Sequence, residues 1–309
     1  MTLSVFIARF RVPVNRSVLL VILIALGVLW GLSIPLTKLA VSTGHHALGM
    51  LWWQFAVSFV CLLPLVIVRR SNVVVDGPHL VFFMVVAAIG TLVPNFLSFV
   101  TYAQLPGSIM ALLIALVPLC ALMVALLLRL ERFSAIRLGG VLLGFVAVAL
   151  IIIPDSALPD PSKVIWVFVG LLAPLCYGFE GNYLTLRQPA DTGPIATLFA
   201  GSIIGLIILT PTVLWTGTGI DMTGSLGVAE WALVGSSIIH VVAYAGYIWI
   251  VGQTGPVFAS LVGYVVTPAG MILSIVLLGE APSPYIWLAL GLILMAITLV
   301  RPSQSDQTG

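Results

Sequence analysis

Two stretches of the sequence resemble each other: LLRLERFS at residues 127–134 and LLGEAPS at residues 277–283. Each stretch ends an apolar run, carries one glutamate, Glu131 or Glu280, and is followed by a second apolar run that contains glycine. Since the two stretches lie about half a chain length apart, the sequence is predicted to contain an internal duplication.

Other positions match at a similar offset, which argues against a chance likeness between apolar segments. They are Pro118 with Pro268, Trp30-Gly31 with Tyr177-Gly178, and Gln104 with Gln253. The matched prolines precede the two glutamates, and the aromatic-glycine pairs lie near the start of each half. The duplication is therefore predicted to cover almost the whole chain.

The composition is that of a membrane protein. Of the 309 residues, 61% are hydrophobic and 7% are charged, whereas a soluble domain carries about 25% charged residues. A helix that crosses the ~30 Å apolar core of a bilayer needs about 20 mostly apolar residues. Ten such stretches are predicted to be membrane spans, at residues 17–41, 47–68, 79–101, 107–128, 134–153, 164–186, 193–215, 229–251, 256–278 and 284–301.

Each half of the duplication contains five predicted spans. Because five is odd, two copies joined in series must cross the membrane in opposite directions, which is the inverted-repeat plan of many secondary transporters. The predicted fold is therefore an all-α integral membrane protein with ten transmembrane helices, arranged as two inverted five-helix repeats at residues 17–153 and 164–301.

The arginines indicate how the chain is oriented in the membrane. Cytoplasmic loops carry an excess of Lys and Arg, and with the N-terminus inside, all ten arginines are cytoplasmic. They are Arg9, Arg11, Arg16, Arg69, Arg70, Arg129, Arg132, Arg137, Arg187 and Arg301. The two lysines, Lys38 and Lys163, then lie outside, and Lys38 is expected to extend its ammonium to the outer interface. Both termini are therefore predicted to be cytoplasmic.

The duplicated box and the Trp30-Gly31 pair together resemble the EamA branch of the drug/metabolite transporter superfamily, and the likeness covers residues 17–301. Arg129-Leu130 departs from the Leu-Gly that more usually precedes the glutamate in the box of this family. The size of the chain and its aromatic-rich spans are similar to those of YddG-type amino-acid exporters. The resemblance implies a carrier with a central cavity lined by the first, third, fourth, sixth, eighth and ninth spans.

Ionisable groups within membrane spans are costly and usually functional. Glu180 lies well inside the sixth predicted span, between Gly178 and Gly181, and glycines let the backbone or a ligand approach closely. Its carboxylate is predicted either to contact a substrate ammonium or to carry a coupling proton. The alternative is a neutral, buried carboxyl group that holds two helices together.

Two spans carry polar and aromatic residues at spacings of four and seven, so that each set shares one helix face. The sets are His240, Tyr244 and Tyr247 in the eighth span and Asn95, Phe99 and Tyr102 in the third. His240 could equally be a histidine that is hydrogen-bonded between helices. The predicted lining of the substrate cavity is completed by Trp30, Tyr177, Glu180 and Tyr264.

The matched prolines and glutamates are expected to shape the helices. Pro118 and Pro268 each remove a helix hydrogen bond at corresponding positions, so they are hinge candidates for alternating access; the alternative is a pair of static kinks. Glu131 and Glu280 each end an apolar helix shortly before a serine, which suits helix capping at a membrane surface.

The sequence predicts a secondary transporter of the cell inner membrane that exports small metabolites, above all neutral or aromatic amino acids. Phosphate esters would need Arg or Lys in the cavity, and the arginines lie at span ends or in loops. A drug/metabolite exporter or permease for another substrate class of the same superfamily is the alternative. An intramembrane enzyme built on Ser236, Ser237 and His240 is a remote one, since neither a G-x-S-x-G nor an H-E-x-x-H motif is present.

Few partners are expected. The chain has no P-loop, its three cysteines show no paired spacing, and no cofactor or metal ion is predicted. The expected partners are a small-molecule substrate, an amino acid or related metabolite, and the lipid bilayer, but no nucleic acid. The oligomeric state is left open.

Overall fold

A computed structural model of the chain describes residues 15–69, 71, 73–131, 133–152, 158, 160–189, 191–254 and 261–300. Within these ranges the chain forms helices and no strand. They are α1 (Arg16–Ala40), α2 (Ala47–Arg69), α3 (Gly77–Ala87), α4 (Val93–Gln104), α5 (Gly107–Ile114), α6 (Val117–Leu127), α7 (Ala135–Ile152), α8 (Val164–Arg187), α9 (Pro194–Thr216), α10 (Val228–Thr254), α11 (Val262–Leu278) and α12 (Pro284–Val300). The arginines at 9, 11, 70, 132 and 301, used above for orientation, lie outside the described residues.

The predicted all-helical membrane fold is confirmed. Eight helical segments in the described part are long and apolar enough to cross a membrane. One of them joins α3 to α4 through a π-helical turn at Ala88–Leu92, and another contains both α5 and α6. α11 and α12 are also apolar but have 17 residues each, the lower limit of ~17–25 residues for a transmembrane helix. The count of ten crossings stays a prediction.

Large apolar side chains cover the outside of the helix bundle. Val21, Val146 and Ile207, from three different helices, are 64%, 49% and 66% exposed. Soluble monomers rarely expose apolar patches larger than a few hundred Å², whereas lipid tails are a favourable environment for such side chains. The exposed apolar surface therefore fits a bundle that is surrounded by lipid.

The most extensive helix contacts join the two halves of the chain, α1–α7 and α8–α12. α1 packs against α10 and α11, while α8 packs against α4 and α6. When each helix is replaced by its counterpart in the other half, the contacts of α1 become the contacts of α8. Three further contacts each join a helix to its own counterpart: α2 with α9, α5 with α11 and α7 with α12. This exchange symmetry of the contacts is the one that a pseudo-twofold axis between inverted repeats produces.

Two matched glycines let helices from different halves of the chain cross closely. A Cβ on Gly31 of α1 would lie 2.8 Å from the backbone N of Gly270 in α11, and a Cβ on Gly178 of α8 would lie 2.6 Å from the backbone N of Ala121 in α6. Real Cβ atoms do not approach backbone that closely. Small residues at membrane helix interfaces let backbones come together in this way. The glycine of each aromatic-glycine pair thus has a defined role in helix packing.

The two matched prolines lie in different backbone settings. Pro268 is inside α11, where it removes a helix hydrogen bond. Pro118 is in the first turn of α6, after a turn at Ala115 and Leu116 that separates α6 from α5. A proline in a first turn has no helix hydrogen bond to lose. The expectation that Pro118 interrupts a continuous helix is therefore wrong, because it begins one.

The glutamates of the duplicated box also differ. The carboxylate of Glu280 accepts hydrogen bonds from the backbone N–H groups of Gly107 at 2.6 Å and Ser108 at 2.9 Å, and so caps the N-terminus of α5. Glu280 therefore caps a helix, as expected, although that helix belongs to the other half of the chain. Glu131 instead accepts a hydrogen bond from Nη1 of Arg137 at 2.8 Å.

The turn before each of these glutamates is left-handed. Gly279, which directly follows α11, has φ of 67°, and Arg129, two residues after the end of α6, has φ of 57°. Glycine adopts this conformation without strain, whereas a side chain there costs roughly 1–2 kcal/mol. The departure at Arg129 from the family box thus keeps the turn but introduces strain.

Polar contacts join the two halves at both ends of the bundle. We call one end the lysine end, after Lys38 and Lys163. The other is the arginine end, after Arg69, Arg129, Arg137 and Arg187. At the lysine end, His45 contacts Glu230 in the first turn of α10. At the arginine end, Nε2 of His79, in the first turn of α3, lies 3.0 Å from Oδ1 of Asp191, and this hydrogen bond lowers the pKa of Asp191. The two contacts occupy corresponding positions in the duplication.

The substitution Gly178→Ala tests the close crossing of α8 and α6. The added methyl group must displace the backbone at Ala121, so we expect a loss of about 1–3 kcal/mol in the free energy of unfolding. Thermal unfolding of the purified protein in detergent measures the loss. Gly181→Ala is the matched control, because nothing lies within 4 Å of a Cβ at that position. Equal unfolding midpoints for the two variants would contradict a close crossing.

For the two left-handed turns we predict opposite changes in the free energy of unfolding. Gly279→Ala is expected to lower, and Arg129→Gly to raise, the free energy of unfolding by about 1 kcal/mol each. The same thermal measurement applies. Gly139→Ala, at a helical position with open space around its Cβ, controls for the change in composition. A lower midpoint for Arg129→Gly would show that its backbone strain is offset by contacts of the side chain.

Candidate functional site

An aromatic cluster forms where α1 meets α10. The ring of Trp30 makes edge-on contacts with His240, Tyr244 and Tyr247, at centroid distances of 6.1, 6.5 and 6.2 Å. His240 stacks on Tyr244 at 6.4 Å. The structure therefore brings Trp30 of the first half together with the predicted α10 face. Aromatic rings have negative faces and positive edges, and edge-on and stacked pairs of this kind stabilise the cluster.

A chain of polar side chains links α2, α4 and α8. The hydroxyl of Tyr177 donates a hydrogen bond to Oδ1 of Asn95 at 2.7 Å, and Nδ2 of Asn95 donates to Oε1 of Gln54 at 3.1 Å. Asn95 is 8% exposed. Both the oxygen and the nitrogen of its side-chain amide are thus hydrogen-bonded inside the bundle. Tyr177 and Asn95 were both predicted for the cavity, and they contact each other across the two halves.

Glu180 lies one turn beyond Tyr177 on α8. Its carboxylate rests against Gly90, where any side chain would overlap it. Gly90 belongs to the π-helical turn between α3 and α4, and such turns are frequent at functional sites. The acid therefore lies one turn from the polar chain, beside the π-helical turn.

Three other predicted residues lie deeper in the packing. Phe99 and Tyr102 are 4% and 5% exposed and belong to the main apolar core. Tyr264 is partly buried and packs against that same core. These rings fill space between helices near the candidate site, so their part in the lining stays a prediction.

Comparison with known families adds the deciding observation. The EamA-like transporter family matches this sequence twice, at residues 16–153 and at residues 164–301. The chain belongs to the EamA-like transporter family. The predicted resemblance is therefore confirmed at the level of the family, and the candidate site is that of an EamA transporter, placed where its two halves meet.

The individual proteins that resemble this chain share low sequence identity with it. The Escherichia coli K12 protein described as an uncharacterized inner membrane transporter, YedA, is 24% identical over 281 residues, which cover 90% of this chain and 89% of that protein. YedA of Escherichia coli O157:H7 gives the same figures. A solved structure described only as the crystal structure of a protein has a TM-score of 0.58 and 18% identity, and covers 93% of this chain and 98% of its own. At that identity it shows the shared fold alone.

The serines near His240 are engaged elsewhere. The hydroxyls of Ser236 and Ser237 donate hydrogen bonds to the backbone carbonyl of Leu233, at 3.0 and 2.7 Å. A nucleophile that is activated by histidine needs a hydrogen bond to the imidazole. Among the described residues, neither serine hydroxyl is hydrogen-bonded to His240 in this EamA transporter.

Sequence reasoning missed Gln54 and Gly90. Gln54 was detectable as a lone amide within the apolar second span, because a buried amide in a membrane needs partners. Gly90 gave no comparable signal, since its role depends on the π-helical turn and on the neighbouring α8. Only the folded arrangement shows that Glu180 reaches it.

The hydrogen bond from Tyr177 to Asn95 can be tested with Tyr177→Phe. The variant keeps the ring and removes the donor to the buried amide, so we expect a loss of about 1–3 kcal/mol in the free energy of unfolding. Thermal unfolding in detergent measures it. Tyr285→Phe is the matched control, because Tyr285 is 40% exposed. Equal effects of the two substitutions would contradict a structural role for the Tyr177 hydroxyl.

Proposed function

We propose that this EamA transporter exports neutral and aromatic amino acids, in the manner of YddG-type exporters, by alternating access at the site between its two halves. The observation that carries the proposal is the combination of an aromatic cluster with one carboxylate, Glu180, which lies one turn beyond Tyr177 on α8 and against Gly90. Rings bind apolar side chains and cations, and the carboxylate offers a partner for a substrate ammonium.

The charge distribution supports a neutral or zwitterionic substrate. Arg16, Arg69 and Arg187 are terminal residues of their helices, and Arg137 pairs with Glu131 at the start of α7. Phosphate groups are usually held by arginine or lysine. The described aromatic cluster contains neither, so phosphate esters are poor candidates for this site.

The proposed location is the cell inner membrane, with both termini in the cytoplasm. YedA is described as an inner membrane transporter, and the arginine end of this chain agrees with a cytoplasmic face under the positive-inside rule. In this orientation the lysine end faces outward. The proposed bending points are Pro268, inside α11, and the turn at Ala115 and Leu116 that precedes Pro118 at the start of α6.

Transport by the purified protein in liposomes tests the proposal. We expect uptake of labelled phenylalanine and leucine that responds to a pH gradient, without inhibition by phosphate esters. Glu180→Gln should lower the rate about tenfold, the cost of one charge-assisted hydrogen bond, and should weaken the response to pH. Asp221→Asn is the control, since Asp221 bonds to Thr223 in an exposed loop.

Two results would refute parts of this proposal separately. Inhibition by phosphate esters together with no uptake of amino acids would assign the protein to another substrate class of its superfamily. A Glu180→Gln variant with the full rate and an unchanged response to pH would make the carboxylate structural, and the amino-acid specificity would then depend on the aromatic cluster alone.

A further inference from the structure

The two lysines of the chain, Lys38 and Lys163, line the same cavity. It has a volume of about 430 Å³ and opens at the lysine end, where α1 and α4 finish and α5 and α8 begin. Its lining also includes Gln104, Asp160 and Glu280. Small-molecule sites have volumes of roughly 300–1,000 Å³. Two residues from different halves of the chain thus bring all the lysine charge to one space of suitable size.

Both ammonium groups keep unused hydrogen-bonding capacity. Nζ of Lys38 donates to the backbone carbonyl of Tyr102 at 2.6 Å, and Nζ of Lys163 donates to Oε1 of Gln104 at 2.5 Å. Each ammonium carries three N–H donors. Among the described residues, no carboxylate forms an ion pair with either one. Donors therefore remain for a ligand.

The two carboxylates in the lining are already engaged. Both oxygens of Glu280 accept hydrogen bonds from the backbone at the start of α5. Oδ1 of Asp160 accepts from the backbone N–H of Ser162 at 3.0 Å and from its hydroxyl at 2.7 Å. These hydrogen bonds of the carboxylates therefore leave the remaining lysine donors available for an anionic ligand.

A purely structural role accounts for only part of this arrangement. Lysines near a helix C-terminus stabilise its last carbonyl groups, and Lys38 does this for α4. Lys163 reaches the side chain of Gln104 instead, and each contact uses one of three donors. Helix capping does not explain why both ammonium groups border an open space.

We propose that this cavity is a carboxylate-binding subsite, in which Lys38 and Lys163 together hold the carboxylate of a small organic ligand. If the function proposed above is correct, that ligand is the amino acid on its way out, and this subsite supplies the cationic partner that the aromatic cluster lacks.

The subsite is separate from the aromatic cluster. Lys38 is eight residues beyond Trp30 on α1, about 12 Å along the helix at 1.5 Å per residue. Ile34, between them on α1, is 5% exposed, and Leu105, at the end of α4, is 1% exposed. Leu105 is also part of the cavity lining. A carboxylate therefore reaches the lysines from the lysine end, where the cavity opens.

A pair of probes that differ only in the carboxylate tests the subsite without relying on transport. N-acetylphenylalanine is expected to raise the thermal unfolding midpoint of the purified protein saturably, because a ligand that binds the folded state stabilises it. The neutral N-acetylphenylalaninamide should do so much less. Lys38→Gln and Lys163→Gln should each raise the apparent Kd of the acid about tenfold, and the variant with both changes more.

Two controls show whether the lysine charges are responsible. Replacing both lysines by arginine keeps the charge and should keep most of the affinity. Arg187→Gln removes one charge at the opposite end of the bundle and should leave the Kd unchanged. A wild-type protein that responds equally to acid and amide, or glutamine variants with the wild-type Kd, would overturn the proposal.

A second measurement covers the case in which the glutamine variants do not fold. In the wild-type protein, an amine-modifying reagent attacks Lys38 and Lys163, and mass spectrometry reads each site. N-acetylphenylalanine should protect both lysines, whereas the amide should not; equal modification with either probe would overturn the proposal. If the protein binds the carboxylate but does not transport amino acids, the function proposed above is refuted and the subsite stands. If it transports amino acids but does not bind the carboxylate here, the subsite is refuted and the proposed function stands.

Discussion

The close approach of backbones at Gly31 and Gly178 is the constraint on which the rest of this structure depends. At each crossing a single methyl group would meet the backbone of the facing helix at less than 3 Å. In lipid, helices gain little from burying apolar surface against each other, so association relies on packing that is this close. Because the two glycines occupy matching places in the duplication, one packing solution is used twice, once in each half.

The same crossings set where the candidate site forms. Each glycine directly follows an aromatic residue, so fixing the glycine against one helix turns the aromatic ring toward another. Trp30 meets the rings of α10, and Tyr177 meets Asn95 of α4. The scaffold is symmetric, but the side chains are not: one half contributes an indole among rings, and the other a phenol in a polar chain beside Glu180. A site with distinct apolar and polar regions can thus arise from two copies of one fold.

Much of this fold is readable from the sequence, because apolar length and the spacing of matched residues are local properties. The predicted first five spans agree with α1 to α7 within a few residues. What failed was the setting of Pro118, since its first-turn position depends on a break in the fourth span that composition does not reveal. The partners of Gln54, Lys38 and Lys163 were equally hidden, because each contact joins residues far apart in the chain. Sequence patterns locate such residues but do not pair them.

The charges of the chain add a constraint of their own. An ionised group inside a bilayer is costly, so the chain keeps its described arginines at one end and its two lysines at the other. Glu180 is the exception within α8, and it lies beside Gly90, where the absence of a side chain leaves room for the carboxylate. Lysine rather than arginine at the far end also has a physical consequence. A compact ammonium can hold a backbone carbonyl or an amide oxygen and still turn its other donors toward a ligand, whereas a guanidinium is a planar fork with fixed donor directions.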